Sequence, residues 1–198
     1  MEILLPGSTP KLDKWELRPF AKDVEQGPRP EDHRDLYERV VATEDPGPPD
    51  PAGPHRRVAA AILRYEIFPP SIVKGVLRRA PVQKDDTVGI LYQGAGPVKL
   101  FFAARVIDCF DGQFAEASGT VWRTGFRYRT LDGHPELGEE TFAIEKNLVT
   151  GAVRVFLSSW SRPGTVLART FAPVVRKLQV HASHAALDQL AAIARSTD

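Results

Sequence analysis

Two hydrophobic patterns follow one another in the second half of the chain and limit the folds it can adopt. From Thr87 onward, segments rich in β-branched and aromatic residues alternate with turn-prone glycine, asparagine and aspartate residues, which is typical of an antiparallel meander. The predicted strands span Thr87–Tyr92, Val98–Phe110, Phe114–Thr130, Glu140–Asn147 and Val153–Ser161. A helical repeat of apolar residues then runs from Pro163 to Arg195. Together, the two patterns predict an α+β fold.

The terminal helix also predicts an internal space. Pro173 lies inside the repeat and cannot donate a backbone hydrogen bond, so a kink or break is expected at that turn. The helix after it would extend about 35 Å at about 1.5 Å per residue. One helix face cannot fill the whole inside of a twisted sheet. We therefore expect a cavity of ligand size between sheet and helix.

The first part of the chain predicts an appendage to this core. The apolar spacing of Glu31–Thr43 predicts a helix. Five prolines between Glu44 and His55 predict an exposed loop resembling polyproline II. Next, Val58–Phe68 is predicted as a strand and Ser71–Arg79 as a short helix. We expect an N-terminal extension over residues 1–57 that packs on a core of residues 58–198, with one structural domain overall.

Composition excludes several classes of protein. The formal net charge of +1 gives no electrostatic reason to expect a nucleic-acid partner. A single cysteine, Cys109, excludes an internal disulfide framework and favours a reducing compartment, so a cytoplasmic location is expected. No run approaches the roughly 20 apolar residues of a membrane span, and the first residues do not resemble a signal peptide. No cofactor is expected, and the oligomeric state is left open.

One segment, Phe126–Phe142, concentrates chemically active side chains. Its turn places His134 and three carboxylates within seven residues, His134–Glu140. The pattern consists of Tyr128-x-Thr130-Leu131-x-Gly133-His134-Pro135-Glu136-x-Gly138-Glu139-Glu140-x-Phe142, then Ser161-Arg162-Pro163 and Leu167-Ala168-Arg169. From roughly Ala59 to Leu190, the chain resembles an uncharacterised family of domains of unknown function, number nineteen-ninety in its series.

That family has been grouped with the START-like, or birch-pollen-allergen-like (Bet v-like), helix-grip superfamily. The resemblance implies a curved antiparallel sheet wrapped around a long C-terminal helix, with an apolar cavity between them. Superfamily members include lipid and hormone carriers, aromatic-ring cyclases and ring-hydroxylating oxygenase domains. A shared fold therefore does not select one function.

Strand parity indicates which charged groups could face the cavity, because alternate residues of a strand share a face. Phe142 and Ile144 are expected to face inward, and Glu140 shares their face, whereas Glu139 and Glu145 are expected to face outward. A buried carboxylate must be protonated or paired. The candidate partners of Glu140 are Arg162, Arg129 and His134.

Two interpretations of these side chains remain open. In the first, His134 and Glu140 form an acid/base pair while Arg162 orients a substrate anion. In the second, the same groups lock the hairpin to the start of the terminal helix. A metal site formed by His134, Glu136 and Glu140 is a weaker alternative because no further ligand is identifiable, and no metal is expected. His181 and His184 are expected on a solvated helix face.

The sequence therefore favours a protein that binds a small hydrophobic or amphipathic molecule between the sheet and the terminal helix. Six residues are predicted to mark the polar end of the site: Tyr128, Arg129, His134, Glu140, Trp160 and Arg162. The alternative is a small-molecule enzyme of hydrolase, cyclase or isomerase type that uses the same polar groups. A third possibility is an interaction module recruited through the proline-rich loop of residues 44–55.

Overall fold

A computed structural model describes residues 1–93, 99–116, 119–164 and 172–196. One curved antiparallel sheet of eight strands packs against a long C-terminal helix. The strands are β1 (Glu2–Leu4), β2 (His33–Thr43), β3 (Val73–Val76), β4 (Thr87–Tyr92), β5 (Lys99–Glu116), β6 (Gly119–Thr130), β7 (Glu136–Asn147) and β8 (Ala152–Pro163). The helices are α1 (Asp13–Glu16), α2 (Pro54–Leu63) and α3 (Ala172–Arg195), with one 3-10 turn at Val24–Gln26. The predicted α+β class and helix-grip layout are confirmed.

The order of the strands in the sheet is β2-β8-β7-β6-β5-β4-β3, and β1 pairs with the start of β5. The consecutive strands β4 to β8 are neighbours, as predicted for a meander, and β3 pairs with β4 at its edge. The long strands β6 and β7 meet in an unbroken register from Val121↔Asn147 to Arg129↔Glu139. This register brings the two sides of the Phe126–Phe142 segment together. Residues 94–97, which separate the first two predicted strands of the meander, and the predicted helix start before Ala172 lie outside the described residues.

Three predictions in the first half of the chain are wrong. Residues 33–43, predicted as helix, form the edge strand β2, in which Leu36 and Val40 are exposed while Tyr37 and Val41 pack against the core. The apolar residues that were interpreted as one face of a helix lie on two opposite faces of the strand. Because β2 and β8 pair, the N-terminal region belongs to the same sheet as the core. The division at residue 57 falls inside α2 and is kept only as a proposal.

Residues 58–68, predicted as a strand, begin within α2 instead. Pro54 occupies the start of the helix, where its missing N–H has no partner to lose, and a run of three alanines favours helix. Residues 71–79, predicted as a helix, contain the short strand β3, which pairs with β4. In both segments, a few β-branched residues fit either period, so the pattern alone was ambiguous.

The main core lies between the concave face of the sheet and the helices α2 and α3. Phe126, Phe142 and Ile144 on the sheet are fully buried against Ile62 of α2 and Leu190 of α3. Their burial confirms the inward parity predicted for Phe142 and Ile144. Arg57 of α2 donates a hydrogen bond to the carbonyl oxygen of Ala194, 3.0 Å away, near the C-terminus of α3. Among the described residues, no helix combines the length and apolar character needed to cross a membrane.

Strand β2 holds α3 through side chains of its inward face. Asp35 binds Arg176 through two hydrogen bonds, Tyr37 packs edge-to-face on His184 at 5.5 Å between ring centroids, and Arg39 pairs with Asp188 at 2.5 Å. Both His181 and His184 are exposed on α3, as expected. These contacts fix the helix beside the sheet edge and leave space further inside.

Half of the proline-rich loop is exposed, whereas Pro49, Gly53 and His55 are buried and the base of the loop is anchored in the protein. The Glu44 carboxylate pairs with the Lys146 ammonium at 2.9 Å and accepts hydrogen bonds from the backbone N–H groups of Asp50 and His55. The Lys146 ammonium also donates to the carbonyl oxygen of Pro48, and both charged side chains are almost fully buried. Glu44 therefore connects the sheet, the loop and the first turn of α2.

This buried pair makes the anchor testable by substitution. The change Lys146→Met leaves Glu44 as an uncompensated buried carboxylate, so we expect the free energy of unfolding in urea to fall by about 3 kcal/mol. The matched change at the exposed Lys177 of α3 should alter it by less than about 0.5 kcal/mol. Adding Glu44→Gln to Lys146→Met should recover part of the loss. If Lys146→Met and the matched change at Lys177 gave equal free energies of unfolding, this role of the pair would be contradicted.

Candidate functional site

A cavity of about 410 Å³ lies between the concave face of the sheet and α3. Its volume falls within the range of roughly 300–1,000 Å³ that is usual for small-molecule sites. Apolar side chains form much of its wall: Phe68, Val73, Ile90, Leu100, Phe102 and Ala182. Polar groups from β2, β6, β7 and β8 meet at the same cavity, including Asp35, Tyr128, Glu140 and Ser159. The cavity therefore has an apolar body and a polar end.

Glu140 and Tyr128 form the centre of the polar end. They are register partners on β7 and β6 and lie on the inward face. The Tyr128 hydroxyl donates a hydrogen bond to Glu140 Oε2 at 2.7 Å. Tyr65, just after α2, stacks on Tyr128 with ring centroids 6.5 Å apart, and the two hydroxyls are hydrogen bonded. The predicted inward orientation of Glu140 is correct, but its partner is a tyrosine rather than Arg162, Arg129 or His134.

Burial changes the acidity of this group. Removal of the Glu140 carboxyl from water raises its pKa from 4.5 to about 7, against the lowering effect of the Tyr128 hydrogen bond. The negative charge of Asp35 adds to the increase. Desolvation, with the charge of Glu140 next in size, raises the pKa of Tyr128 well above its ordinary value. At neutral pH, Glu140 therefore exchanges a proton readily while both tyrosines stay protonated.

His134 reaches the cavity from the turn between β6 and β7. The turn favours glycine at position 133, because its φ of +84° lies in the left-handed region that other residues rarely adopt. The His134 ring is 92% buried and packs edge-to-face on Phe102 at 4.6 Å between ring centroids. Its Nδ1 lies 2.7 Å from the carbonyl oxygen of Glu136, whereas Nε2 has no partner among the described residues. Desolvation lowers the pKa of His134 to about 3, so the ring is neutral.

The position of the proton on His134 follows from this geometry. The Glu136 carbonyl oxygen can only accept, and at 2.7 Å it is closer to Nδ1 than the Glu136 backbone nitrogen, at 3.1 Å. The shorter contact assigns the proton to Nδ1. The other ring nitrogen, Nε2, is then a buried hydrogen-bond acceptor with no partner among the described residues. A buried polar atom without a partner costs about 1–3 kcal/mol.

Glu136 and Asp35 add two further carboxyl groups to the cavity lining. Desolvation raises the pKa of Glu136 from 4.5 to about 7, while a hydrogen bond with Ser161 and the charge of Arg176 act in the opposite direction. Asp35 is paired with Arg176. Asp35 is thus paired, whereas burial raises the pKa of both Glu136 and Glu140 to about 7.

The structure does not bring all the predicted site residues together. Trp160 lines the cavity with Tyr128, His134 and Glu140. Arg129 lies on the opposite face of β6, where it binds Glu139 at 2.6 Å. Arg162 binds Asp32 at 2.7 Å and the carbonyl oxygen of Asp23 at 3.0 Å. Arg129 thus joins two neighbouring strands, and Arg162 holds the N-terminal segment in place.

The predicted outward face of β7 is polar but is not solvated throughout. The Glu145 side chain is 1% exposed, because the guanidinium groups of Arg123 and Arg154 cover it at 2.5 Å each. Among the described residues, no three potential ligands from histidine, cysteine, aspartate and glutamate are grouped so that they could hold a metal ion. The alternative of a metal at His134, Glu136 and Glu140 therefore gains no support.

Two contributors to the site were missed in the sequence. Tyr65 belongs to a segment that was assigned to a strand, and Asp35 to one assigned to a helix. Counting outward from the Gly133 turn could have paired Tyr128 with Glu140. No local pattern could have shown that Tyr65, more than sixty residues earlier, stacks on Tyr128, because this contact depends on how α2 packs on the sheet.

This chain is similar to other proteins in sequence and in fold. A UPF0548 protein of Dictyostelium discoideum is 32% identical over 130 residues, which cover 63% of this chain and 58% of that protein, less than two thirds of its length. The hypothetical protein jhp0584 from Helicobacter pylori is 14% identical, with a TM-score of 0.56 over 90% of this chain and 98% of that one. At that identity, the likeness shows the fold alone.

The structure of Ara h 8.0201 is 9% identical, with a TM-score of 0.47 over 84% of this chain and 99% of that one. The family model described as "Domain of unknown function (DUF1990)" matches residues 21–189, which include β2 to β8 and most of α3. The chain therefore belongs to the DUF1990 family, as its Phe126–Phe142 motif indicated.

Proposed function

We propose that this protein binds a small hydrophobic or amphipathic molecule in the cavity between the sheet and α3. The observation that carries this proposal is the apolar cavity of about 410 Å³ with a buried, incompletely paired polar end. Apolar walls would bind the body of the ligand through the hydrophobic effect. The polar end would orient the ligand and supply partners for its head group. We propose the cytoplasm as its location on the basis of the single cysteine.

A cavity-filling substitution tests the proposal. Ala182 of α3 lines the cavity, so Ala182→Phe should occupy much of the space that a ligand needs. With the neutral fluorescent probe N-phenylnaphthylamine, we expect saturable binding to the unaltered protein and at least tenfold weaker binding to this variant. Ala192→Phe, an identical change on the exposed face of α3, is the matched control and should leave binding unchanged. Absence of saturable binding to the unaltered protein, or equal binding by both variants, would contradict the proposal.

A second candidate function, proton transfer to or from a bound molecule, is favoured by one observation. Glu140 is a cavity carboxyl group with a pKa of about 7, near the optimum for a general acid or base at neutral pH. The hydrolase, cyclase or isomerase types suggested by the sequence all use such a step. Incubating a ligand identified by native mass spectrometry with the protein would distinguish the functions. Chemical conversion of the ligand, lost in Glu140→Gln, would favour catalysis, whereas recovery of unchanged ligand would favour binding.

The raised pKa of Glu140 also predicts a pH dependence of stability. Because the folded-state value, about 7, is above the ordinary value of 4.5, the folded protein holds this proton more tightly than the unfolded chain. The contribution of Glu140 to stability is therefore present at low pH and is lost as pH rises through 7. Glu140→Gln cannot ionise. Relative to the unaltered protein, its melting temperature should rise by a few °C more at pH 8 than at pH 5.

The exposed Glu31 provides the matched control, because Glu31→Gln removes the same charge from the surface. Its melting temperature should follow that of the unaltered protein at both pH values. A difference between Glu140→Gln and the unaltered protein that is the same at pH 5 and pH 8 would show that Glu140 ionises normally in the folded state. The cavity would then be more hydrated than its geometry indicates.

A further inference from the structure

We infer that the cavity selects a ligand whose head group donates hydrogen bonds, best of all a protonated amine, to Glu140, Glu136 and Nε2 of His134. This inference rests on the proposed binding function and specifies the chemical class of the ligand. An amphipathic amine with an aromatic or aliphatic body would match the apolar wall at one end and the acceptors at the other.

The ionised carboxyl groups and the buried unpaired nitrogen at the polar end are acceptors, while Ser159, Trp160 and Gln179 in the lining can also donate. Glu140 receives a hydrogen bond from Tyr128, and an ionised carboxylate can accept several more. The Nε2 atom of His134 is an acceptor, because the proton of this neutral ring is on Nδ1, and it has no donor within the part of the chain that the structure describes. The hydroxyl of Tyr128 is already used as a donor to Glu140, and that of Ser183 donates to the Gln179 carbonyl oxygen. A ligand that donates hydrogen bonds would supply partners for these acceptors.

The charges around the cavity favour the same class of ligand. Asp35, Glu136 and Glu140 line it, and no lysine or arginine is among the described lining residues. Arg176 lies near this end, but its guanidinium is bound by Asp35. The Met1 amino group also lines the cavity and donates to the Gly133 carbonyl oxygen. Above pH 7, where Glu140 and Glu136 are ionised, these carboxylates outnumber the Met1 ammonium. An ammonium head group would then pair with them, whereas a carboxylate or phosphate would meet like charge.

The protonation of the site adds a measurable consequence. The groups that face or surround Glu140 are Tyr128 on β6, Tyr65 after α2, Asp35 on β2, Arg176 on α3, and Glu136, His134 and Met1 at the turn end. Of these, Glu136 titrates in the same range as Glu140, with a pKa of about 7. An ammonium binds the ionised form of a carboxyl group, so its uptake releases protons. Its affinity should rise with pH, up to roughly tenfold between pH 6 and pH 8 for each such carboxyl.

Three compounds with one body and different head groups test the inference. Phenylbutylamine, phenylbutanol and phenylbutanoate can be titrated into the full-length protein by isothermal calorimetry at pH 8. We expect the amine to bind at least tenfold more tightly than the alcohol, because charge-assisted hydrogen bonds are about twice as strong as neutral ones. The carboxylate should bind more weakly than the alcohol. Only the amine should gain affinity between pH 6 and pH 8.

Substitution of Glu140 then tests whether its carboxyl group binds the head group of the ligand. In Glu140→Gln, the amine should lose about tenfold in affinity while the alcohol changes less than twofold, and Glu31→Gln should affect neither compound. The comparison of the three compounds on the unaltered protein decides the question even when the variant does not fold.

The possible results separate this inference from the proposed function. Equal affinity for the three compounds, or tightest binding of the carboxylate, would overturn the inference while leaving N-phenylnaphthylamine binding as support for the cavity. No saturable binding of any of these compounds or of the neutral probe would overturn the proposed function itself. An amine preference that persists unchanged in Glu140→Gln would overturn the assignment of Glu140 as its partner.

Discussion

The packing of Tyr65 against the sheet divides the interior into a filled core and an open cavity. Its ring contacts Phe126, Tyr128 and Phe142, with ring centroids 6.1 to 6.5 Å apart, and it is 4% exposed. The backbone at Tyr65 has φ of 57°, an uncommon value for a bulky residue, directly after α2 ends. On the far side, Gly75 leaves room for the ring, because a β-carbon there would lie 2.6 Å from it. The aromatic cluster is filled on one side of this ring, and Tyr65 itself forms part of the wall of the cavity.

The carboxyl groups on the two faces of these strands have different surroundings. On the outward face, carboxylates are neutralised by arginines, as Glu139 is by Arg129 and Glu145 by Arg123 and Arg154. On the inward face, Glu140 and Glu136 have no arginine paired with them among the described residues, and burial raises the pKa of each to about 7. A chain selected for stability alone would gain from apolar residues at these two positions. Their placement in an apolar cavity is therefore better explained by a ligand than by folding.

The sequence predicted the sheet from β4 to β8 and the terminal helix because these elements are long and follow one period. It failed between residues 31 and 79, where short segments satisfy both periods and packing decides. Leu36 and Val40 are exposed on an edge strand, and the alanines before Ile62 favour α2 over a strand. For the site, parity was sufficient to orient Glu140. Its hydrogen bond to Tyr128 required the register between β6 and β7, and the contact of Tyr65 required the position of α2.

Some residues of the Phe126–Phe142 motif hold the hairpin in place and others line the cavity. Its composition alone could not separate the two groups. Arg129 and Glu139 join β6 to β7 on the outward face, while Gly133 provides the turn that directs His134 toward the cavity. Arg162, which the sequence grouped with the active groups, instead fastens the N-terminal segment through Asp32. These structural contacts fix the hairpin on its outer side. Contacts on the outward face of the sheet thereby hold Tyr128, Glu140 and His134 in position. A ligand would then bind side chains that are already ordered, which lowers the entropy cost of binding.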